Sequence, residues 1–115
     1  MSNHIIHFEI GCQDREATSR FYGAIFDWKL EELPGMTTIG TGSEVGGHIA
    51  SLGHPPHQYT MFYVSVDSIE TTLAAVEANG GKKIVGPVDV PGGRFAWISD
   101  PEGNVVGLFE TPKTS

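Results

Sequence analysis

The last apolar segment of the chain ends in a glutamate, Glu110. Asp-Pro and Gly-Asn pairs between positions 100 and 104 predict a tight turn, and the apolar run that follows predicts a short buried strand. A carboxylate at the end of a buried strand needs a hydrogen-bond partner, an opposite charge or a bound cation. His7, near the N-terminus, is the partner that we expect. An imidazole and a carboxylate together can form a polar pair or ligate a divalent metal ion.

His7 belongs to a segment with the two-residue period of a β-strand. Apolar residues occupy every second position from 6 to 10, so His7 and Glu9 share the opposite face. Glu9 is therefore a candidate general base beside His7. An ion pair with Arg20 or Arg94 is the alternative that we weigh for the same carboxylate.

The predicted strands and helices follow the same order in the two halves of the chain. Module one, residues 5–52, is predicted to contain a strand, a helix that begins after Asp14, and three strands at 28–33, 36–41 and 45–52. Module two, residues 59–110, is predicted to contain a strand, a helix that begins at Asp67-Ser68, and three strands at 82–86, 94–99 and 104–110. Two consecutive prolines mark residues 53–58 as the linker. The sequence therefore predicts one α+β domain, residues 1–115, made of two βαβββ modules.

Composition restricts the classes of partner. The chain of 115 residues has 7 Lys and Arg against 14 Asp and Glu, a net charge of -7, which disfavours nucleic acid and anionic membrane surfaces. Cys12 is the single cysteine, so no intrachain disulfide can form. The sequence shows no signal peptide and no apolar run long enough to span a bilayer. We expect a cytoplasmic protein that binds a small molecule.

Three stretches carry a resemblance to a known family: HFEIGCQDREATSRFYGAIFDW, YVSVDSIETTLAAVEANGGK and FAWISDPEGNVVGLFE. With these stretches in this order, the sequence resembles the vicinal oxygen chelate superfamily. That superfamily includes glyoxalase I, extradiol dioxygenases, fosfomycin-resistance enzymes, methylmalonyl-CoA epimerase and bleomycin-binding proteins. The resemblance implies a curled eight-stranded mixed sheet with helices outside and a central cleft, and it implies a homodimer.

The resemblance also implies metal ligands on the first, fourth, fifth and eighth strands. These positions fall on His7, on His48 as the only suitable ligand among residues 47–50, near Met61, and on Glu110. Met61 stands where glyoxalase I commonly has histidine, so the ligand set of glyoxalase I is not intact. His7, His48 and Glu110 could still hold one ion of Fe, Mn, Ni, Co or Zn. The alternative is a polar, metal-free cleft, with His48 on a solvated strand end.

Five residues are predicted to line the ligand pocket: Met61, Tyr63, Arg94, Phe95 and Trp97. Tyr63 could hydrogen-bond a ligand, and Met61 offers adaptable apolar surface. Phe95 and Trp97 share one face of a strand, where they belong either to the pocket or to the core. Arg94 could meet an anionic ligand or form an ion pair.

Three functions follow from these expectations. The first is a metal-dependent lyase, isomerase or dioxygenase acting on an oxygen-rich molecule, with Glu9 and Glu110 as catalytic carboxylates. The second is a metal-free binding protein for a drug or an aromatic ligand, of the bleomycin-resistance type. The third is an accessory subunit with a vestigial cleft. The fold alone does not choose among them.

Overall fold

The computed structural model describes residues 3–112. The helices and strands in this range are, in chain order, β1 (Ile5–Gly11), α1 (Arg15–Ile25), β2 (Lys29–Leu33), β3 (Met36–Gly40), β4 (Gly46–Ala50), β5 (Tyr59–Ser65), α2 (Ile69–Ala78), β6 (Lys82–Val90), β7 (Gly93–Ser99) and β8 (Val105–Glu110). This order confirms the predicted α+β class and the two βαβββ modules. Strand β6 continues through Pro87 to Val90, where the sequence predicted an end at 86. A proline is tolerated there because β6 is the last strand in the order of its unit, and the register shifts beside it.

The chain divides into two compact units. The first unit is residues 6–61, and the second contains the segments on either side of it. Strand order is β2-β3-β4-β1 in the first unit and β5-β8-β7-β6 in the second. The boundary falls within β5, so Tyr59 and Met61 belong to the first unit and the rest of β5 from Phe62 onward to the second. In each unit one pair of strands is parallel and the others are antiparallel, as the prediction of a mixed sheet requires. The single domain over residues 1–115 stays a prediction.

Each unit has a buried core and a capped helix. The buried core residues are Ile10, Cys12, Ile39 and Ile49 in the first unit, and Val66, Ile69, Ala96 and Leu108 in the second. The side chain of Asp14 accepts a hydrogen bond from the N–H of Ala17, and that of Ser68 accepts one from the N–H of Thr71. These caps satisfy N–H groups that the first turn of a helix leaves unpaired. Neither helix of the described chain is long and apolar enough to cross a membrane.

Strand register brings the candidate polar residues together within each unit. Parallel pairing of β1 with β4 places Glu9 opposite His48, and His7 lies on the same face of β1 as Glu9. In the second unit, antiparallel pairing of β7 with β8 places Arg94 opposite Glu110. Each unit therefore carries its own polar group on its sheet.

Candidate functional site

Four polar side chains of the first unit form a group that we call the histidine cluster: His7, Glu9, His48 and Tyr59. Nε2 of His7 lies 2.7 Å from Nδ1 of His48, and the two rings stack with centroids 4.9 Å apart. The other ring nitrogen of His48, Nε2, lies 3.4 Å from Oε1 of Glu9. The Tyr59 hydroxyl donates a hydrogen bond to Oε2 of the same carboxylate. Polar contacts thus run without interruption from Tyr59 to His7.

These contacts favour one tautomer for each histidine. A carboxylate oxygen only accepts, so we assign the proton of neutral His48 to Nε2, which faces Glu9. Nδ1 of His48 then carries a lone pair and accepts a hydrogen bond from Nε2–H of His7. In this arrangement Nδ1 of His7 carries the lone pair of its ring. His7 is half-buried, whereas Glu9 is only 3% exposed.

Both rings are neutral at physiological pH. Burial lowers the pKa of His7 below its ordinary value of 6.5, and the neighbouring His48 lowers it further, while Glu9 opposes both effects. Burial also lowers the pKa of His48, and Glu9 again acts in the opposite direction. Desolvation disfavours an imidazolium and a nearby carboxylate favours it. The first unit therefore holds two neutral imidazoles. The nearby Glu9 carboxylate favours the protonated form of both.

Arg94 binds two carboxylates in the second unit, and we call Arg94, Glu70 and Glu110 the arginine cluster. Nη1 and Nη2 of Arg94 each donate to one oxygen of Glu70, at 2.8 Å, and Nη2 also donates to Oε1 of Glu110 at 2.8 Å. Oε1 of Glu110 accepts a further hydrogen bond, 2.7 Å long, from the N–H of Ile69. Ile69 is the first residue of α2, so Glu110 lies at the positive end of that helix.

The arginine cluster is ionised over the whole physiological range. Hydrogen bonds from Arg94 lower the pKa of Glu70 from 4.5 to about 2. The N–H of Ile69, followed by Arg94, lowers the pKa of Glu110. Hydrogen bonds to Glu70 and then to Glu110 raise the pKa of Arg94. Fixed charges of this kind hold a structure together and exchange no proton near neutral pH.

Three aromatic side chains meet elsewhere in the second unit. Nε1–H of Trp97 donates to the Tyr63 hydroxyl at 2.9 Å, and both side chains are buried. Tyr63 meets Phe95 edge to face, with ring centroids 6.4 Å apart. Phe95 is half-buried. The three rings form one aromatic group with a polar contact inside it.

Known proteins are similar to this chain in sequence and in fold over nearly its whole length. The model of the Glyoxalase/Bleomycin resistance protein/Dioxygenase superfamily matches residues 4–108. The chain belongs to this superfamily. A glyoxylase-like domain-containing protein from Didymella fabae is 27% identical over 127 residues that cover 97% of both chains. The anthracycline biosynthesis protein DnrV from Streptomyces peucetius is 30% identical over 123 residues that cover 89% of this chain and 45% of that protein. This chain thus spans less than half the length of its Streptomyces relative.

Solved structures show the same fold at lower identity. Methylmalonyl-CoA epimerase from Mycobacterium tuberculosis matches with a TM-score of 0.67 and 12% identity, over 95% of this chain and 88% of its own. At this identity the likeness shows the fold alone. The resemblance to the vicinal oxygen chelate superfamily is confirmed by the family match and by this fold.

Within this glyoxalase-superfamily fold, the structure brings some of the predicted site residues together. His7, His48 and Glu9 meet in the first unit, whereas Glu110 binds Arg94 and the N–H of Ile69 in the second. Among residues 3–112, no group of three or more His, Cys, Asp and Glu side chains is arranged to hold a metal ion. The metal site at His7, His48 and Glu110 therefore stays a prediction.

Arg20 and Arg94, the alternative partners predicted for Glu9, bind other carboxylates. Arg20 pairs with Glu16 one helical turn away, at 2.9 Å, and Arg94 pairs with Glu70 and Glu110. Glu9 instead faces an imidazole and a hydroxyl. Its surroundings are those of a group that can take part in proton transfer, because an imidazole can both accept and donate a proton.

Two residues of these clusters escaped the sequence analysis. Tyr59 is the first residue of β5, and Glu70 lies in the first turn of α2. A signal for Tyr59 was present, because it continues the two-residue period of Met61 and Tyr63 by one step. Glu70 gave no comparable signal, since an acidic residue in the first turn of a helix is ordinary.

Proposed function

We propose that the chain is an enzyme of the glyoxalase superfamily that transfers a proton at a carbon next to a carbonyl group. It would act as a lyase or an isomerase on a small oxygen-rich molecule. The observation that carries the proposal is the 2.7 Å contact between Nε2 of His7 and Nδ1 of His48. Two neutral imidazoles joined in this way, and backed by a buried carboxylate, can accept and return a proton near neutral pH. The glyoxylase-like name of the fungal relative supports a lyase or isomerase over a dioxygenase.

His7 is the proton acceptor in this proposal. Its Nδ1 takes the proton from the substrate carbon, so a C–H bond breaks as an N–H bond forms. The electron pair stays on the substrate as an enediolate until the proton returns to carbon. His48 shares the positive charge through its hydrogen bond to His7, and Glu9 stabilises that charge because it raises the pKa of both rings.

A divalent metal held by His7, His48 and Glu110 is the competing proposal. The donor types suit Fe, Mn, Ni, Co or Zn. Their contacts favour it less, because the ring nitrogens are hydrogen-bonded to each other and Oε1 of Glu110 already accepts from Arg94. No step of the proton transfer above depends on a metal.

Solvent deuterium exchange tests the proposed reaction. The protein is incubated in D₂O with dihydroxyacetone, hydroxyacetone or the hemithioacetal of methylglyoxal and glutathione, with a chelator present, and the carbon-bound proton is followed by NMR. We expect at least one probe to exchange faster than in buffer. His7→Gln should reduce that rate by about 100-fold or more, which is the usual contribution of a general base. Glu70→Gln, which alters the arginine cluster instead, should keep the rate.

Each of the other outcomes overturns the proposal. Exchange that stops with the chelator and returns with Mn, Fe, Co, Ni or Zn would favour the metal site. No exchange of any probe, with or without a metal, would favour a binding function. Equal losses in His7→Gln and Glu70→Gln would show that the histidine cluster has no special part in the reaction.

The aromatic group of the second unit favours a second candidate, a metal-free binding protein for a drug or an aromatic ligand. Half-buried Phe95 offers a ring to such a ligand beside Tyr63 and Trp97. Arg94, the charged member of the predicted ligand set, already binds Glu70 and Glu110. Met61, buried in the first unit, belongs to the same predicted ligand set. Bleomycin added without metal should then quench tryptophan fluorescence in Trp28→Phe, which retains Trp97. Quenching that persists in Trp97→Phe would reject this candidate.

A homodimer and a cytoplasmic location complete the proposal. Three exposed apolar side chains lie on β6, the last strand in the order of the second unit: Ile84, Val85 and Val88. Apolar residues on such a strand favour association with another chain. Light scattering should give twice the mass of the chain, and Val88→Lys should lower that mass toward a single chain. Cys12 is buried and forms no disulfide, which suits a reducing compartment.

A further inference from the structure

Both oxygens of the Glu9 carboxylate face polar side chains. Oε1 lies 3.4 Å from Nε2 of His48, and Oε2 accepts the hydrogen bond of the Tyr59 hydroxyl. The last side-chain torsion of a glutamate has no narrow preference of its own. Partners therefore decide which way the carboxylate faces. Because Glu9 is buried, contacts with it are stronger than they would be in water.

A glycine makes room for Tyr59. A Cβ added at Gly11 would overlap three carbon atoms of the Tyr59 ring, so the ring lies directly against β1 at this position. The backbone of Gly11 does not have a positive φ angle, and the glycine is needed for space rather than for conformation. Gly11 and Glu9 share one face of β1. A ring that rests on Gly11 can therefore carry its hydroxyl to Glu9.

We propose that Tyr59 is a positioning residue for proton transfer at the histidine cluster. Its hydroxyl turns the Glu9 carboxylate so that Oε1 faces His48. This orientation fixes His48 as the Nε2–H tautomer and keeps Nδ1 of His48 as the acceptor for His7. The inference rests on the proposed function and adds to it a residue that acts through Glu9 and His48.

Nitrogen-15 NMR of the histidine rings tests this inference without a substrate. We expect His48 of the wild-type chain to be a single Nε2–H tautomer at neutral pH. Tyr59→Phe keeps the ring against Gly11 and removes the hydroxyl, so His48 should become a mixture of both tautomers. Tyr22→Phe is the matched control, because Tyr22 packs among other aromatic residues of the first unit. It should leave the His48 tautomer unchanged.

A double variant separates positioning from a general loosening of the fold. If Tyr59 acts through Glu9, adding Tyr59→Phe to Glu9→Gln should change the His48 spectrum no further. A single unchanged tautomer in Tyr59→Phe would overturn the inference, and so would the same mixture in Tyr22→Phe. Since the spectrum needs no turnover, the two proposals can fail separately. Mixed tautomers in Tyr59→Phe without deuterium exchange by the wild type would support positioning and reject the reaction.

Discussion

The histidine cluster and the arginine cluster each contain a carboxylate that lies on a strand, but they hold it in opposite ways. Glu9 faces a neutral imidazole and a hydroxyl. Glu110 faces a guanidinium and the N-terminus of a helix. A carboxylate beside a titratable ring can support proton transfer, whereas one paired with arginine keeps its charge and stabilises the helix that it caps. The chemistry of a carboxylate thus depends more on its neighbour than on its own type.

Strand register explains why two similar modules differ in chemistry. The parallel pair of β1 and β4 places Glu9 opposite His48, and the parallel pair of β5 and β8 places Tyr63 opposite Gly107. The first pair brings two titratable side chains together. In the second pair, the Tyr63 ring occupies the space that a Cβ at Gly107 would need. The two units therefore share a fold, but only the first has a pair of titratable side chains at its parallel strands.

Of the variants that compare the two clusters, Glu9→Gln should have the largest effect on the rate of deuterium exchange, because it removes the buried carboxylate of the histidine cluster. Glu9→Gln should lower the rate of deuterium exchange by about 10-fold to 100-fold, because the positive charge on the histidine pair loses its stabilising partner. Glu70→Gln, which removes a carboxylate of the arginine cluster, should change that rate little. An equal loss of exchange rate in the two variants would contradict the claim that only the histidine cluster takes part in proton transfer.

Alanine at the two glycines beneath tyrosine rings should destabilise both units to a similar degree. Gly11→Ala and Gly107→Ala each place a Cβ in the space of a ring, that of Tyr59 or Tyr63. We expect each to reduce the free energy of unfolding by about 1–3 kcal/mol, the usual cost of overpacking. Gly40→Ala is the control, since its Cβ would lie 3.8 Å from the nearest atoms. Urea denaturation measures all three, and a neutral Gly11→Ala would show that the Tyr59 ring can move.

Acid should affect the two clusters in different pH ranges. The pKa of His7 and of His48 is lowered from 6.5 on folding, so protons bind the unfolded chain first as the pH falls. The free energy of unfolding should therefore fall below about pH 6.5, by at most about 1.4 kcal/mol per pH unit for each histidine. Glu70, whose pKa is lowered from 4.5 to about 2, gives stability that is present above pH 4.5 and lost as the pH falls toward 2.

Variants assign the two parts of this acid dependence. Urea denaturation across the acidic range should show a weaker loss near pH 6 in His48→Gln and a weaker loss below pH 4.5 in Glu70→Gln. If His48→Gln leaves the upper part of the curve unchanged, the histidine cluster is not neutral in the folded chain.

The smallest effect on stability is expected from replacing Glu70, the exposed carboxylate of the arginine cluster. Glu70 has a side chain that is 62% exposed, so water and salt screen its ion pair with Arg94. Glu70→Gln should lower the melting temperature slightly at low ionic strength, and the difference should shrink in 1 M salt. A large decrease that salt does not reduce would mean that the pair is better protected than its exposure indicates.

Local signals in the sequence predicted most of the fold and part of the site. The helix cap at Asp14 and the alternation around His7 depend on neighbouring residues, and the structure shows both. The contact of Glu9 with Tyr59 depends on which strands lie side by side, and that of Arg94 with Glu70 joins a strand to a helix. Side chains that meet through long-range pairing leave no fixed spacing in the sequence.

The measurement that tests the histidine cluster most directly is a nitrogen-15 coupling across the hydrogen bond between His7 and His48. Nε2 of His7 and Nδ1 of His48 are 2.7 Å apart, a distance at which N–H···N coupling is transmitted through the bond. We predict that this coupling is present at neutral pH in metal-free protein and disappears in Glu9→Gln, where His48 loses its fixed tautomer. Absence of the coupling in the wild type, or its appearance only after a divalent metal is added, would contradict a neutral histidine pair as the centre of the site.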